Sequence, residues 1–195
     1  LAPFNAPALA VHDSPASGFR MRAEFRLWHS GNEAFYAMFA KGDSCNPVKI
    51  TLFPIAHDSI NRLMHDLLSA LSASETLRNR LFQVDFLGTL NGESLVTLIY
   101  HRKLDEAWQA EARALETQLG AAVIGRSRQQ RLVLSRDYVD EILTVNGKTL
   151  HYRQMEGGFT QPNAWINQKM LGWAQQQLPL SDTDLLELYC GNGNF

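Results

Sequence analysis

The most specific chemistry in the sequence lies in its last residues, Leu185-Leu186-Glu187-Leu188-Tyr189-Cys190-Gly191-Asn192-Gly193-Asn194-Phe195. An apolar run passes straight into Gly-x-Gly. A strand enters a nucleotide-type site in this way. The glycines allow a tight turn and a close approach of backbone to ligand. A dinucleotide oxidoreductase would use a third glycine and then a helix; Asn194 and Phe195 follow instead. Two cysteines could act as nucleophiles. Cys45 sits in Ser44-Cys45-Asn46-Pro47, a polar loop flanked by Lys41-Gly42-Asp43. A nucleophilic cysteine needs a pocket that stabilises its thiolate, and nothing local to Cys45 supplies one. Cys190 reads as a small buried side chain at a strand end. Basic side chains form a third group: Arg20, Arg22, Arg26 and His29 fall on or near one strand. Such a row either meets a polyanion such as nucleic acid or is a solvated face. Arg126, Arg128 and Arg131 make a second basic cluster, read as an exposed hairpin.

The elements that position these residues follow from periodicity. Residues 1–18 read as an irregular arm broken by Pro3, Pro7, Pro15 and Gly18. From Arg20, Met21, Ala23, Phe25 and Leu27 alternate with Arg20, Arg22, Glu24 and Arg26. That predicts a half-buried strand with a basic outer face. Further strands are predicted at Phe35–Phe39, Val48–Phe53, Ala122–Arg126 and Arg131–Leu134. Two hairpins turn at Asn-Gly: Phe82–Leu90 with Leu95–His101, and Tyr138–Val145 with Lys148–Arg153. A helix capped by Asp58 aligns Ile60, Leu63, Met64, Leu67, Leu68 and Leu71; one capped by Asp105 aligns Trp108, Ala112, Leu115 and Leu119. Glu156-Gly157-Gly158 reads as a linker. Pro162 suits the first turn of a helix carrying Trp165, Ile166, Leu171 and Trp173, ended by Pro179, Ser181 and Asp182. Leu185–Tyr189 then reads as a strand. Strands, helix, strands, helix, strands predict an α+β fold with a largely antiparallel sheet and helices.

Phe159-Thr160-Gln161-Pro162-Asn163 ahead of a helix, followed by Leu-Tyr-Cys-Gly-Asn-Gly-Asn-Phe, resembles the RNA uracil-C5 methyltransferases that use S-adenosylmethionine. Phe19–His29, Leu81–Asp85 and Tyr100–Asp105 look like parts of the RNA-binding domain in the branch that acts on tRNA and tmRNA. The resemblance covers nearly the whole chain and makes it look like an N-terminal fragment. It implies an RNA-binding domain with an irregular arm over residues 1–156. Residues 157–195 would start a truncated, Rossmann-like S-adenosylmethionine-binding domain, Leu185–Tyr189 being its first strand. It implies cofactor contacts from Gln161, Tyr189 and Asn194, and contacts of Phe82 and His101 with the T loop of tRNA, joined by Arg22 and Arg26. It places the catalytic cysteine and general base beyond this chain, so no catalytic residue is expected here, and Cys45 is a coincidence of sequence. One departure is Trp165, where the family usually has a small residue. The same residues also have plain structural readings: Gln161 as a helix-start hydrogen bond, Tyr189 as a packing ring, and Phe82 as a core residue alternating with Val84 and Phe86.

Composition sets the bounds. At 45% hydrophobic and 19% charged the chain is ordinary globular protein. A net charge of −2 argues against indiscriminate coating of nucleic acid but leaves room for a local basic patch. No apolar run approaches the roughly 20 residues of a membrane span, and no basic leader marks a signal peptide. Two cysteines make no disulfide framework, which suits the cytoplasm. No metal site is expected. The function expected is C5 methylation of the T-loop uridine of tRNA, with tmRNA as an alternative substrate, by the longer enzyme. The alternative is a non-catalytic RNA-binding module with a vestigial cofactor motif. A strand and helix without a sheet to join are expected either to be disordered or to be ordered by exchange with a second copy, the latter giving a dimer through the C-terminal segment.

Overall fold

Alternation along β1 (Arg22–Ser30) sets the architecture: Ala23, Phe25 and Leu27 are buried while Glu24 and Arg26 are exposed. The computed structural model describes residues 8–31, 33–43, 45–178, 184, 186–191 and 193–194. β1 pairs with β2 (Glu33–Phe39) and β4 (Leu81–Gly88), and β2 pairs with β3 (Pro47–Ile50). β5 (Ser94–Tyr100), β6 (Ala122–Ser127) and β7 (Gln130–Val133) complete one sheet in the order β3-β2-β1-β4-β5-β6-β7. Every pairing is antiparallel except β5 with β6. Parallel neighbours need a crossover, and α3 (Glu106–Leu119) supplies it. α1 (Asp58–Ala73), a one-turn helix α2 (Glu75–Arg78) and α3 cover the face that carries Phe25, Tyr36, Val84, Phe86 and Leu98.

Local chemistry explains the element ends. The Asp105 carboxylate accepts from the Trp108 N–H at 2.9 Å and caps α3, and Gly120 closes it in the left-handed conformation. The cap of α1 differs from expectation. His57 takes it, its Nδ1 accepting from the Ser59 N–H, and Asp58 is the first helical residue; an acid there still opposes the positive end of the helix dipole. The C-terminal helix α4 (Ala164–Gln177) likewise starts later than expected. Asn163 caps it through the Ile166 N–H, and the Pro162 carbonyl accepts from the Met21 N–H instead. Pro179, Ser181 and Asp182 lie outside the described residues. The strand expected at Leu185–Tyr189 is not present: Leu185 is outside the described residues, and 186–189 run as coil and turn. A strand is held by a neighbour's ladder, and no strand among the described residues pairs with this segment.

β8 (Tyr138–Val145) and β9 (Lys148–Met155) form a separate two-stranded sheet turning at Asn146-Gly147, both with positive φ. Val139 packs with Leu87, Leu95, Ala122 and Ile124 on the second face of the large sheet. Leu143 and Val145 pack with Ala164 and Leu171 of α4 and with Met21. The C-terminal helix thus has a surface of its own in this chain, correcting the expectation that it lacks one. The hairpin, which leaves the main sheet, offers it an apolar face.

Glu141 is buried at this junction, its Oε1 accepting from the Leu90 N–H at 2.9 Å and the Ile142 N–H at 3.1 Å. Burial outweighs those hydrogen bonds and lifts its pKa from 4.5 to about 7. The folded chain therefore holds a proton that the unfolded chain releases. The resulting stability is fully present below pH 4.5 and is lost as pH rises through about 7. Glu141→Gln should remove this component. The variant should exceed the parent chain at pH 8 by an amount on the order of 2 kcal/mol, with the gap closing towards pH 4. Denaturant melts at the two pH values check this; a difference that does not change with pH would refute it.

Candidate nucleic-acid interface and cofactor site

The open part of the sheet's second face is built by a β-bulge. Leu81 pairs with Tyr100 and Gln83 with Ile99, so two steps on β4 oppose one on β5 and Phe82 is the extra residue. Leu81, Val84 and Phe86 all stay in the core, while Phe82 leaves it, half-buried. Its ring stacks on His101, with centroids 4.2 Å apart and planes 21° from parallel. The Arg26 guanidinium lies 5.0 Å from the Phe82 centroid and 5.8 Å from that of Phe39. Trp28 meets Phe39 edge-on at 5.8 Å. The backbone around the bulge is tied down. Arg80 adopts positive φ, and its carbonyl accepts from the His101 N–H. The Leu81 carbonyl lies 2.7 Å from His29 Nε2, which must carry the proton because a carbonyl only accepts. A cation between two ring faces beside a stacked aromatic pair is a surface on which unstacked bases can lie.

Three of the four predicted RNA residues, Arg26, Phe82 and His101, meet here. Arg22 does not. It lies four residues along β1, where Nη1 donates to the Gly158 carbonyl at 2.7 Å and Nη2 pairs with Glu24 at 3.1 Å. Trp28 and Phe39 were not anticipated: strand alternation in the sequence places them outward but not beside Arg26. Cys45 is exposed in the β2–β3 loop, which Asp43 closes by accepting from the Cys45 and Asn46 N–H groups.

The three predicted cofactor residues meet as well. Gln161, Tyr189 and Asn194 line one cavity of about 150 Å³ with Tyr152, Phe159, Asn167 and Glu187. Tyr189 has positive φ and is fully exposed at the rim, and Cys190, expected to be buried at a strand end, is exposed too because no strand forms there to cover it. The Asn194 and Asn167 amides pair reciprocally at 2.8 and 2.9 Å, and the Tyr152 hydroxyl donates to the Asn194 carbonyl at 3.1 Å. Burial raises the Tyr152 pKa and keeps this donor protonated. Asn167 and Tyr152 were missed. The available signal was Asn167 itself, a polar residue one turn before Leu171 on the buried stripe of α4. Amide and phenol groups that donate and accept fit the amino-acid end of S-adenosylmethionine. The volume fits only that end, since whole-ligand pockets run to roughly 300–1,000 Å³. Among the described residues no group of three His, Cys, Asp or Glu side chains could hold a metal ion, and no helix is long and apolar enough to cross a membrane. A larger, mostly apolar cavity of about 1130 Å³ between the N-terminal arm and α4 contains none of the predicted site residues.

The chain is 57% identical over all 195 residues to a tRNA/tmRNA (uracil-C(5))-methyltransferase of Stutzerimonas stutzeri (strain A1501), covering 54% of it. It is 57% identical to the protein of that name from Ectopseudomonas mendocina (strain ymp), again covering 54%. It therefore spans about half the length of these curated relatives. The crystal structure of Pyrococcus abyssi tRNA (uracil-54, C5)-methyltransferase in complex with S-adenosyl-L-homocysteine is similar with a TM-score of 0.59 at 10% identity, covering 85% of this chain and 42% of that one. That likeness is one of fold. The tRNA (Uracil-5-)-methyltransferase family matches residues 1–195 without interruption, and the chain belongs to that family.

Proposed function

We propose that this chain carries the RNA-binding part, and the opening of the cofactor site, of a cytoplasmic S-adenosylmethionine-dependent enzyme that methylates C5 of the T-loop uridine of tRNA, with tmRNA as a further substrate. The observation that carries the reading is the cluster of Phe82, His101 and Arg26. Its rings offer faces to bases splayed from an RNA loop, and the guanidinium offers charge and hydrogen bonds. A target base must leave its stack before chemistry can reach it, and an exposed stacking platform holds neighbouring bases while it does so. Gln161, Tyr189 and Asn194 would hold the amino-acid end of the cofactor, with Asn167 and Tyr152 fixing Asn194. The bound cofactor supplies an electrophilic methyl group. C5 of uracil is a poor nucleophile until C6 is saturated, so such an enzyme needs a cysteine to attack C6 and a base to take the C5 proton. No residue of this chain is assigned to either role. A non-catalytic RNA-binding module would share the aromatic platform but would have no use for the convergence of Gln161, Tyr189 and Asn194.

Incubation of the 195-residue chain with unmodified tRNA and methyl-labelled cofactor should leave no label above a no-protein control. Incorporation would overturn this assignment and point to Cys45. Cofactor affinity should be weaker than about 10 μM, equivalent to roughly 7 kcal/mol, because only one end of the ligand is enclosed. A protein of the relatives' full length should label the tRNA; failure there would sink the proposed activity itself.

A further inference from the structure

A second groove opens beside the stacking platform. It is about 1060 Å³ in volume and runs between the β5–α3 connection, His101 to Lys103, and the β6–β7 turn, Arg126 to Gln130. That is the upper end of small-molecule pocket volumes, roughly 300–1,000 Å³, and leaves room for a length of strand. Its walls are held in place. The Gln130 amide bridges the turn to the start of α3, accepting from the Leu104 N–H at 2.8 Å and donating to the Leu104 carbonyl at 3.0 Å.

Charge is the distinguishing feature. Among the described residues the groove is lined by Arg102, Lys103, Arg126 and Arg128 and by no carboxylate, in a chain whose net charge is −2. Two of these cations are committed. Arg126 pairs with the buried Glu156 carboxylate at 2.6 Å, which Arg131 also reaches at 3.2 Å. Arg102 donates to the carbonyls of Thr76, Asn79 and Lys103. Lys103 and Arg128 are exposed, and neither side chain has a hydrogen-bond or ion-pair partner among the described residues. His101 belongs to both places: it stacks on Phe82 and lines the groove.

We infer that this groove takes the phosphate backbone of the RNA strand whose bases lie on the Phe82–His101 platform, with Lys103 and Arg128 each meeting a phosphate. The inference rests on the proposed RNA-binding reading and extends it. The platform reads ring faces, and the groove supplies sequence-independent charge that fixes the register of the strand. Lys103 is a flexible point charge, whereas Arg128 can meet a phosphate with two parallel hydrogen bonds.

The test is the salt dependence of binding. Fluorescence anisotropy would follow an unmodified T-arm RNA hairpin binding to the 195-residue chain between 50 and 200 mM KCl. Each lost phosphate contact should flatten the slope of log K against log salt by about 0.7–0.9. The double variant Lys103→Gln with Arg128→Gln should therefore flatten it by about 1.5 and lower affinity at 100 mM salt roughly tenfold or more, with an unchanged melting temperature because both side chains are exposed. Arg62→Gln with Lys148→Gln, two exposed cations on other elements, should change the slope far less. An unchanged slope in the groove variant, or an equal change in the control pair, overturns the groove. Phe82→Ala separates the two readings. If it weakens binding while the groove variant does not, the platform stands and the groove falls; if the parent chain binds no RNA, both fall.

Discussion

Gly125→Ala is expected to destabilise the chain by about 3 kcal/mol, the upper end of what overpacking a core costs. Gly125 is buried in the middle of β6, beneath α3. A Cβ built there would lie 2.7 Å from Leu104 Cδ1 and 2.7 Å from Trp108 Cζ2, and closer still to Trp108 Cη2. Real carbon contacts do not reach such distances, and the indole has nowhere to go: Trp108 is fully buried and packs edge-on against Tyr100 at 5.8 Å. Here glycine serves close approach and not backbone freedom, since it has no positive φ. For a chain of this size the loss corresponds to a fall of roughly 6–12 °C in melting temperature. Calorimetry on the variant checks it. A shift under 2 °C would mean that α3 slides over the sheet at little cost. Combining it with Trp108→Leu should give less than the sum of the two losses, because the smaller side chain removes the clash.

Phe82→Ala is expected to weaken binding of an unmodified T-arm RNA by about 1–3 kcal/mol, roughly 5- to 150-fold. Thermal stability should stay nearly unchanged. The bulge is the reason for the second half of this expectation: Phe82 has left the row of Val84 and Phe86, both fully buried, and its contacts are to His101 and Arg26 at the surface. His101→Ala should act in the same direction, since each ring holds the other in its stacked position. If Phe82→Ala instead lowers the melting temperature by many degrees and the folded fraction binds RNA as before, the ring is a core residue and the platform is misassigned. Salt dependence separates this from the groove, because loss of a stacking face leaves the phosphate slope where it was.

Features that depend on neighbours along the chain are legible in the residues themselves. Asp105 caps α3 because a carboxylate reaches the N–H three residues on. Asn91-Gly92 and Asn146-Gly147 turn their hairpins because those residues tolerate positive φ. Alternation in β1 and the apolar stripe of α1 put the right side chains in the core. The motif residues Gln161, Tyr189 and Asn194 were legible through family resemblance, and the fold brings them to one cavity. Contacts between residues distant in sequence set the rest. The bulge that frees Phe82 is a mismatch between two strands and is invisible in either one: Leu81, Phe82, Val84 and Phe86 are all apolar, so their pattern permits more than one register. Leu185–Tyr189 has the composition of a strand, but strands exist only as pairs, and here the described residues form coil and turn. The seat of α4 on β8, the clasp of Asn167 on Asn194, and the pairing of Arg126 and Arg131 with Glu156 were likewise set by packing. Periodicity reports which face a residue occupies. Only the folded chain decides which other residues occupy that face beside it.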